Sequence, residues 1–148
     1  MEMFDLDTPI ITCVIGEGGS GGALAIGIAD RVLMQEYSTY SVISPESCAS
    51  ILWSDSSMNE KAAQIMKMSP EELIQLNVID GIIKEPKGGA HRNLKAAAEL
   101  LKAALLNHLQ DLLKKPNQDL KTERRKKFRF MDRFTFENKN EKKSKKSK

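Results

Sequence analysis

The sequence predicts an α/β fold, because short apolar segments typical of strands alternate with segments typical of helices. Two features support this prediction: a glycine-rich segment that joins the first strand to the first helix, and a long amphipathic helix near the C-terminal end. With 148 residues, of which 41% are hydrophobic, the chain forms one domain at most.

The glycine-rich segment follows an apolar run at residues 9–15 that is typical of a buried strand. It precedes a predicted helix from Gly21 to about Ala29, whose apolar start is typical of a buried helix. Five glycines lie within the seven residues 16–22. A strand, a glycine turn and a helix N-terminus bring free N–H groups to one point, and a ligand oxygen can approach them because no Cβ intervenes.

The local pattern leaves three interpretations of the glycines open. They do not form a Walker A loop, because no Gly-Lys-Ser/Thr follows them. Gly16, Gly18 and Gly21 have the spacing of a dinucleotide-binding loop, for which Glu36 lies near the distance of the expected acidic residue. The second open interpretation is a backbone site that stabilises negative charge on oxygen. The third is a tight turn in which glycine only permits close packing.

Further strands are predicted at residues 31–34, at residues 40–43 and at residues 78–79, the last continuing past a glycine with residues 82–83. Helices are predicted where capping signals occur. Pro45 begins a short helix, and the Ser-Pro pair at residues 69–70 begins another.

Between those two, residues 59–68 form a helix with one apolar side. Asn93 caps the longest helix, which runs to about residue 115, and a shorter helical segment covers residues 119–131. The longest helix has an apolar stripe that predicts packing, with His108 as a packed residue; the stripe consists of Leu94, Ala97, Ala98, Leu101, Leu105, His108, Leu109 and Leu112.

Charge is distributed unevenly along the chain. Residues 114–148 hold 15 Lys and Arg against 5 Asp and Glu, whereas residues 1–113 hold 8 against 15. The basic end indicates either a solvated, disordered tail or a tether to nucleic acid or acidic lipid. No aromatic residue interrupts the lysines of residues 139–146, which weakens the nucleic-acid interpretation.

Cys13 and Cys48 lie among apolar or small residues, which predicts buried thiols in a reducing compartment. Two histidines and two cysteines without metal-type spacing predict no metal site. No apolar stretch is long enough to span a membrane, and no leader precedes the first strand. We therefore expect a cytoplasmic protein, or one of the plastid stroma if a leader lies upstream.

Three blocks of sequence resemble the carboxyltransferase alpha subunits of bacterial and plastid acetyl-CoA carboxylase. The blocks are residues 14–27, residues 37–53, and residues 79–93 with their Gly-Gly-Ala-His-Arg-Asn end. The resemblance covers residue 2 to about residue 131 and only the C-terminal half of such subunits, so the chain is either a fragment or starts at an internal methionine.

The resemblance implies the C-terminal portion of a crotonase-like ββα spiral followed by long C-terminal helices. We expect a partial carboxyltransferase core at residues 1–92, a helical segment at residues 93–136 and a disordered basic tail at residues 137–148. The implied reaction transfers a carboxyl group from carboxybiotin to acetyl-CoA, which gives malonyl-CoA for fatty acid biosynthesis.

The resemblance also assigns residues to this reaction. Gly21 and Gly22 match the glycine pair whose backbone N–H groups form the oxyanion hole on the biotin side. Six further residues are expected to bind substrate; they are Gly18, Gly19, Ser44, Pro45, His91 and Arg92. For the pair His91 and Arg92 the alternative is a structural loop, capped by Asn93 and tied by the arginine to a nearby carboxylate.

The implied partners are a carboxyltransferase beta subunit in an alpha2beta2 heterotetramer, a biotin carboxyl carrier protein, and a biotin carboxylase that consumes ATP. Two alternatives remain. The chain could be a truncated, non-catalytic half-subunit that acts as an interaction module, or another crotonase-fold enzyme such as a hydratase or a decarboxylase. The block at residues 38–46 argues against another crotonase-fold enzyme.

Overall fold

The computed structural model of the chain describes residues 2–131. Its centre is a parallel three-stranded sheet in the order β1–β3–β5, formed by Ile11–Val14, Arg31–Gln35 and Gly81–Ile83. In this sheet Ile11 pairs with Arg31, and Leu33 pairs with Gly81. The fold is therefore mixed α/β, as predicted.

A second, two-stranded parallel sheet lies beside the first; one of its strands corresponds to the strand predicted at residues 40–43, and the other was not predicted. Its strands are β2, Glu17–Gly19, and β4, Thr39–Ser41, so part of the glycine segment is extended backbone. Helix α1, Ser20–Ile26, follows β2 directly.

The remaining helices begin close to the predicted capping residues. They are α2 (Pro45–Trp53), α3 (Asn59–Met66), α4 (Pro70–Gln75), α5 (Leu94–Leu113) and α6 (Asn117–Phe130). Ser44, Ser69 and Asn93 each accept a hydrogen bond from a backbone N–H of the first turn, at Ser47, Glu72 and Ala96. Short 3-10 helices cover Glu2–Asp5, Ser56–Met58 and Ala90–Arg92.

The apolar core lies on the central sheet. Val32, Leu33 and Met34 of β3 are at most 2% exposed, as expected for the middle strand of a sheet covered on both faces. Leu112 of α5 and Leu120 of α6 are each 1% exposed, so both C-terminal helices contribute to the core. His108 is half-buried on α5, and its ring lies next to Gly81, in agreement with its prediction as a packed residue.

Helix α6 closes the amino-terminal edge of the central sheet. There Asp30 accepts a hydrogen bond from the Ile10 N–H, and Asp80 accepts one from the Val32 N–H. Arg124 pairs with Asp30, and Lys127 pairs with Asp80. The basic residues of α6 that form these pairs therefore neutralise carboxylates of the same chain.

Three sequence expectations are wrong in detail. The strand predicted at residues 78–79 is instead the turn after α4, where the Val78 N–H donates to the Leu73 carbonyl, and β5 starts at Gly81. Helix α1 has no buried residue, because no described element covers its outer face. Cys13 and Cys48 are free and half-buried, since both lie at the margin of the core.

The expected tail at residues 137–148, and the end of the helical segment after residue 131, lie outside the described residues.

Candidate functional site

The turn from β2 into α1 holds a strained residue. Ser20 has φ +59°, a left-handed conformation that non-glycine side chains seldom adopt. It lies between Gly19 and Gly21, at the first position of the helix. Such strain persists where the surrounding structure requires a sharp turn, and it is common at functional sites. Sequence reasoning missed Ser20, because nothing in its identity signals a positive φ.

The first turn of α1 is open. Gly19 at the N-cap has no side chain with which to cap it, so the N–H groups of Gly21 and Gly22 have no side-chain partner. Both glycines are exposed, and a Cβ built on either would meet no heavy atom within 4 Å. Packing within the described residues therefore does not require glycine at these two positions, which favours a reason other than close packing.

Two cavities flank this turn. One, of about 360 Å³, is lined mainly by apolar side chains and includes Ser20 and Gly21. The other, of about 350 Å³, lies on the β1–β2 side and includes Gly18 and Gly19. Ala23 and Tyr40 line both. The structure thus brings the predicted residues Gly18, Gly19 and Gly21 to one neighbourhood, whereas the lining of neither cavity includes the other predicted residues.

Tyr40 separates the two cavities and was not predicted as a site residue. Its hydroxyl donates to the Ala23 carbonyl at 3.4 Å, which ties β4 to α1. Burial raises the pKa of its phenol. Gly18 and Gly27 make room for it, since a Cβ at Gly18 would lie 3.1 Å from the ring and a Cβ at Gly27 would collide with the hydroxyl. Its place in a strand that follows a glycine segment is the only signal the sequence offers.

Ser44 and Pro45 have a clear structural role at the start of α2. The Ser44 hydroxyl oxygen accepts from the Ser47 N–H at 3.2 Å and also bonds to the Ser47 hydroxyl at 3.0 Å. Pro45 occupies the first turn, where its missing N–H costs nothing.

His91 and Arg92 lie on a tight loop after β5. Gly88 and Gly89 have φ of +89° and +96°, a conformation that requires glycine. Both His91 and Arg92 are exposed, and neither side chain has a hydrogen bond or an ion pair among residues 2–131. Asn93 caps α5 as predicted, whereas no carboxylate among residues 2–131 is paired with Arg92. The structural interpretation of this loop is thus confirmed for its cap, and its arginine contact is not found among these residues.

Two glutamates hold this loop against the loop after β3. Glu85 accepts from the Tyr37 N–H at 3.1 Å and from the Ala90 N–H at 2.7 Å. Glu36 accepts from the Lys84 ammonium at 2.7 Å and from the Glu85 N–H at 3.1 Å. The Lys84 hydrogen bond is the main cause that lowers the pKa of the Glu36 carboxyl. Because Glu36 is occupied in this way, it is not free to bind a ribose, and the dinucleotide interpretation loses its acidic residue.

Residues 2–131 give little support to a cysteine nucleophile, a metal site or a membrane span. Burial raises the pKa of the Cys13 thiol to about 11, so it is protonated near neutral pH and is a poor nucleophile. Within these residues no cluster of three or more His, Cys, Asp and Glu could hold a metal ion. No helix in this part of the chain is both long enough and apolar enough to cross a membrane.

Comparison with known proteins identifies the family. Parallel strands, and a glycine-rich turn into a helix whose first turn has no side-chain cap, define an α/β protein. A family model described as acetyl co-enzyme A carboxylase carboxyltransferase-like matches residues 1–132. The chain belongs to this family.

Its relatives include acetyl-coenzyme A carboxylase carboxyl transferase alpha subunits of several bacteria. The subunit of Gloeobacter violaceus is 54% identical over 133 residues, which cover 90% of this chain and 41% of the relative. That of Synechocystis sp. is 53% identical with the same coverage. That of Staphylococcus carnosus is 51% identical over 134 residues, with 90% and 42% covered. The chain thus spans about two fifths of the length of the curated relatives it matches.

Proposed function

We propose that the chain forms part of a carboxyltransferase alpha subunit of acetyl-CoA carboxylase. In this role it transfers the carboxyl group of carboxybiotin, brought by a carrier protein, to acetyl-CoA and gives malonyl-CoA, the first committed step of fatty acid biosynthesis. The observation that carries the proposal is the family match over residues 1–132 together with the open glycine turn at the start of α1.

The glycine turn suits this reaction because negative charge develops on oxygen. As the carboxyl group leaves, the C–N bond electrons pass to the biotin ureido group, and its oxygen becomes negative. The Gly21 and Gly22 N–H groups would donate to that oxygen, and loss of one such donor typically costs about 3 kcal/mol of barrier lowering. The methyl carbon of acetyl-CoA would pass its proton to the biotin ureido group. The electron pair left on that carbon would then form the new C–C bond to the carbon of the released carboxyl group.

The remaining expected site residues have supporting roles in this proposal. Gly18 and Gly19 line the neighbouring cavity, so they would admit substrate beside Tyr40. Ser44 and Pro45 would act through the start of α2, whose cap they form. His91, with Arg92, would hold an anionic group.

The rest of the assembly follows from the same role. The partners would be the beta subunit in an alpha2beta2 heterotetramer, the biotin carboxyl carrier protein, and the biotin carboxylase that consumes ATP. We retain the expected division into a partial crotonase-like core (residues 1–92), a helical segment (93–136) and a basic tail (137–148), in the cytoplasm or the plastid stroma.

The experiment uses a chimaeric subunit: the portion of the Gloeobacter violaceus relative that this chain does not match, fused to this chain. It is mixed with beta subunit, biotin carrier, biotin carboxylase, ATP, bicarbonate and acetyl-CoA, and malonyl-CoA is measured. We expect formation that depends on the beta subunit and on the chimaeric subunit. A soluble, assembled complex that forms no malonyl-CoA would refute the proposal.

A second candidate function is a non-catalytic interaction module. It is favoured by one observation, the apolar cavity at α1 with Leu24 71% exposed and Val42 78% exposed, which a partner could cover. The same experiment separates the two. A module would bind the beta subunit but would form no malonyl-CoA in the chimaeric subunit.

A further inference from the structure

The Glu85 carboxylate joins the loop that carries His91 and Arg92 to the loop after β3, in addition to the contacts of Glu36. The Glu85 carboxylate accepts one N–H from the loop after β3, at Tyr37, and one from the loop after β5, at Ala90. Each of its two oxygens has its own donor, so the carboxylate acts as a clip between the two loops.

The clip also links the loop to the glycine segment. The Tyr37 N–H is bound by Glu85, and two residues later the Thr39 N–H donates to the Gly16 carbonyl at 2.9 Å. The backbone of residues 37–39 therefore joins the clip to the hydrogen bond at Gly16, the residue before β2. All of these contacts lie beyond the carboxyl ends of parallel strands β1, β3 and β5, the edge at which α/β proteins bind ligands.

The clipped loop is cationic within an acidic body. Exposed cationic residues lie in or next to it, while residues 1–113 as a whole hold 8 Lys and Arg against 15 Asp and Glu; the set is Lys87, Arg92 and Lys95, and the charge of Lys84 is paired with Glu36. The Arg92 chain folds over Gly88, where a Cβ would lie 3.0 Å from its Cδ. The exposed guanidinium has no partner of its own among residues 2–131.

We propose that Glu85 is a positioning residue, which clips the two loops together and thereby fixes His91 and Arg92 as a binding pair for an anionic group of the substrates. The anion is either a phosphate of the coenzyme A moiety or the carboxylate of carboxybiotin, since a guanidinium binds both by paired hydrogen bonds. This inference rests on the proposed function.

The test compares Arg92→Ala, Glu85→Gln and the control Glu60→Gln in the chimaeric subunit within the complete complex. Glu60 is an exposed glutamate on α3 whose carboxylate has no hydrogen bond within the described part of the chain. Glutamine at position 85 keeps one acceptor oxygen, so one of the two N–H groups loses its partner. KM and kcat are measured for acetyl-CoA, for acetyl-pantetheine, which lacks the phosphates at issue, and for the carboxylated carrier.

We expect Arg92→Ala to raise the KM for one of these substrates by about tenfold, and Glu85→Gln to raise the same KM by at least about threefold. In both variants kcat should remain nearly unchanged, because the substitutions remove contacts that bind the substrate rather than contacts made only in the transition state. A rise for acetyl-CoA that is absent with acetyl-pantetheine assigns the phosphate; a rise for the carrier assigns the carboxylate. Faster hydrogen exchange of the Tyr37 or the Ala90 N–H in Glu85→Gln would show that the clip is lost.

The outcomes separate this inference from the proposed function. If the unmodified complex forms no malonyl-CoA, the proposed function fails. If that complex is active but Arg92→Ala leaves every KM unchanged, the anion pair is wrong. If Arg92→Ala raises a KM while Glu85→Gln frees the Tyr37 or the Ala90 N–H and leaves the same KM unchanged, the positioning role of Glu85 is wrong.

Discussion

At the scale of single residues, the candidate site is built by glycines with different tasks. Gly18 and Gly27 leave room for Tyr40, whereas Gly21 and Gly22 face open space. The sequence alone could not separate these roles, because all four are the same residue in one short segment. The distinction depends on which atoms lie near each glycine Cα. For Gly18 and Gly27 these include atoms of Tyr40, which lies on β4 at a distance along the chain.

Ser20 provides a test of the strained turn. Ser20→Gly should stabilise the chimaeric subunit by up to about 1 kcal/mol, because glycine adopts a positive φ without the steric cost borne by other residues. Ser20→Val should destabilise it by at least about 1 kcal/mol, because a β-branched side chain fits this conformation poorly. Urea unfolding of the three proteins measures both. Equal stability of all three would show that the turn is not strained.

At the scale of elements, α6 fastens the first described residues to the sheet. Arg124 is 1% exposed; its Nε and Nη2 each donate to one oxygen of Asp30 at 2.8 Å. Its remaining N–H groups donate to the carbonyls of Met3, Leu6 and Thr8. Exposed pairs add to this contact; they are Lys121 with Asp7 and Arg125 with Asp5. Four basic residues of α6 therefore serve the fold; they are Lys121, Arg124, Arg125 and Lys127.

Removal of Arg124 should be strongly destabilising. Arg124→Met leaves the buried Asp30 carboxylate without its cation and three carbonyls without a donor, which should cost about 3–5 kcal/mol. The matched control is Arg125→Met, whose exposed ion pair should contribute at most about 1 kcal/mol. Urea unfolding of the chimaeric subunit measures both free energies. A loss below 1 kcal/mol for Arg124→Met would mean that α6 does not fasten the N-terminal segment.

The helices could be predicted from the sequence far better than the strands. Ser44, Ser69 and Asn93 cap their helices through local contacts that are evident in the sequence itself. Strand β2 was missed because Glu-Gly-Gly has no apolar alternation, and it is a strand only through pairing with β4. The partners of Arg124 were also hidden, because they lie more than 90 residues away.

At the scale of the whole molecule, the described residues leave apolar surface and strand edges uncovered. Strand β1 is an edge strand, so one side of it carries unpaired backbone groups. Ile15, Leu24 and Val42 are each at least 68% exposed. A surface of this kind is normally covered by further protein, which agrees with relatives more than twice as long as this chain.

We therefore expect the 148-residue chain, when purified by itself, to aggregate or to be only partly ordered. The chimaeric subunit should be soluble, because its additional portion would cover these surfaces. Size-exclusion chromatography with light scattering, and denaturant unfolding, measure the difference. A monomeric chain that unfolds cooperatively on its own would contradict this expectation.

The proposed task of the glycine pair at the start of α1 is to stabilise negative charge during carboxyl transfer. The most direct measurement is malonyl-CoA formation by the complete complex with Gly22→Val in the chimaeric subunit. Because a Cβ at Gly22 meets no described atom, the variant should fold, and its side chain should obstruct the approach of the substrate oxygen. We predict a loss of at least about tenfold in kcat/KM. Unchanged turnover by a folded, assembled Gly22→Val complex would contradict the claim.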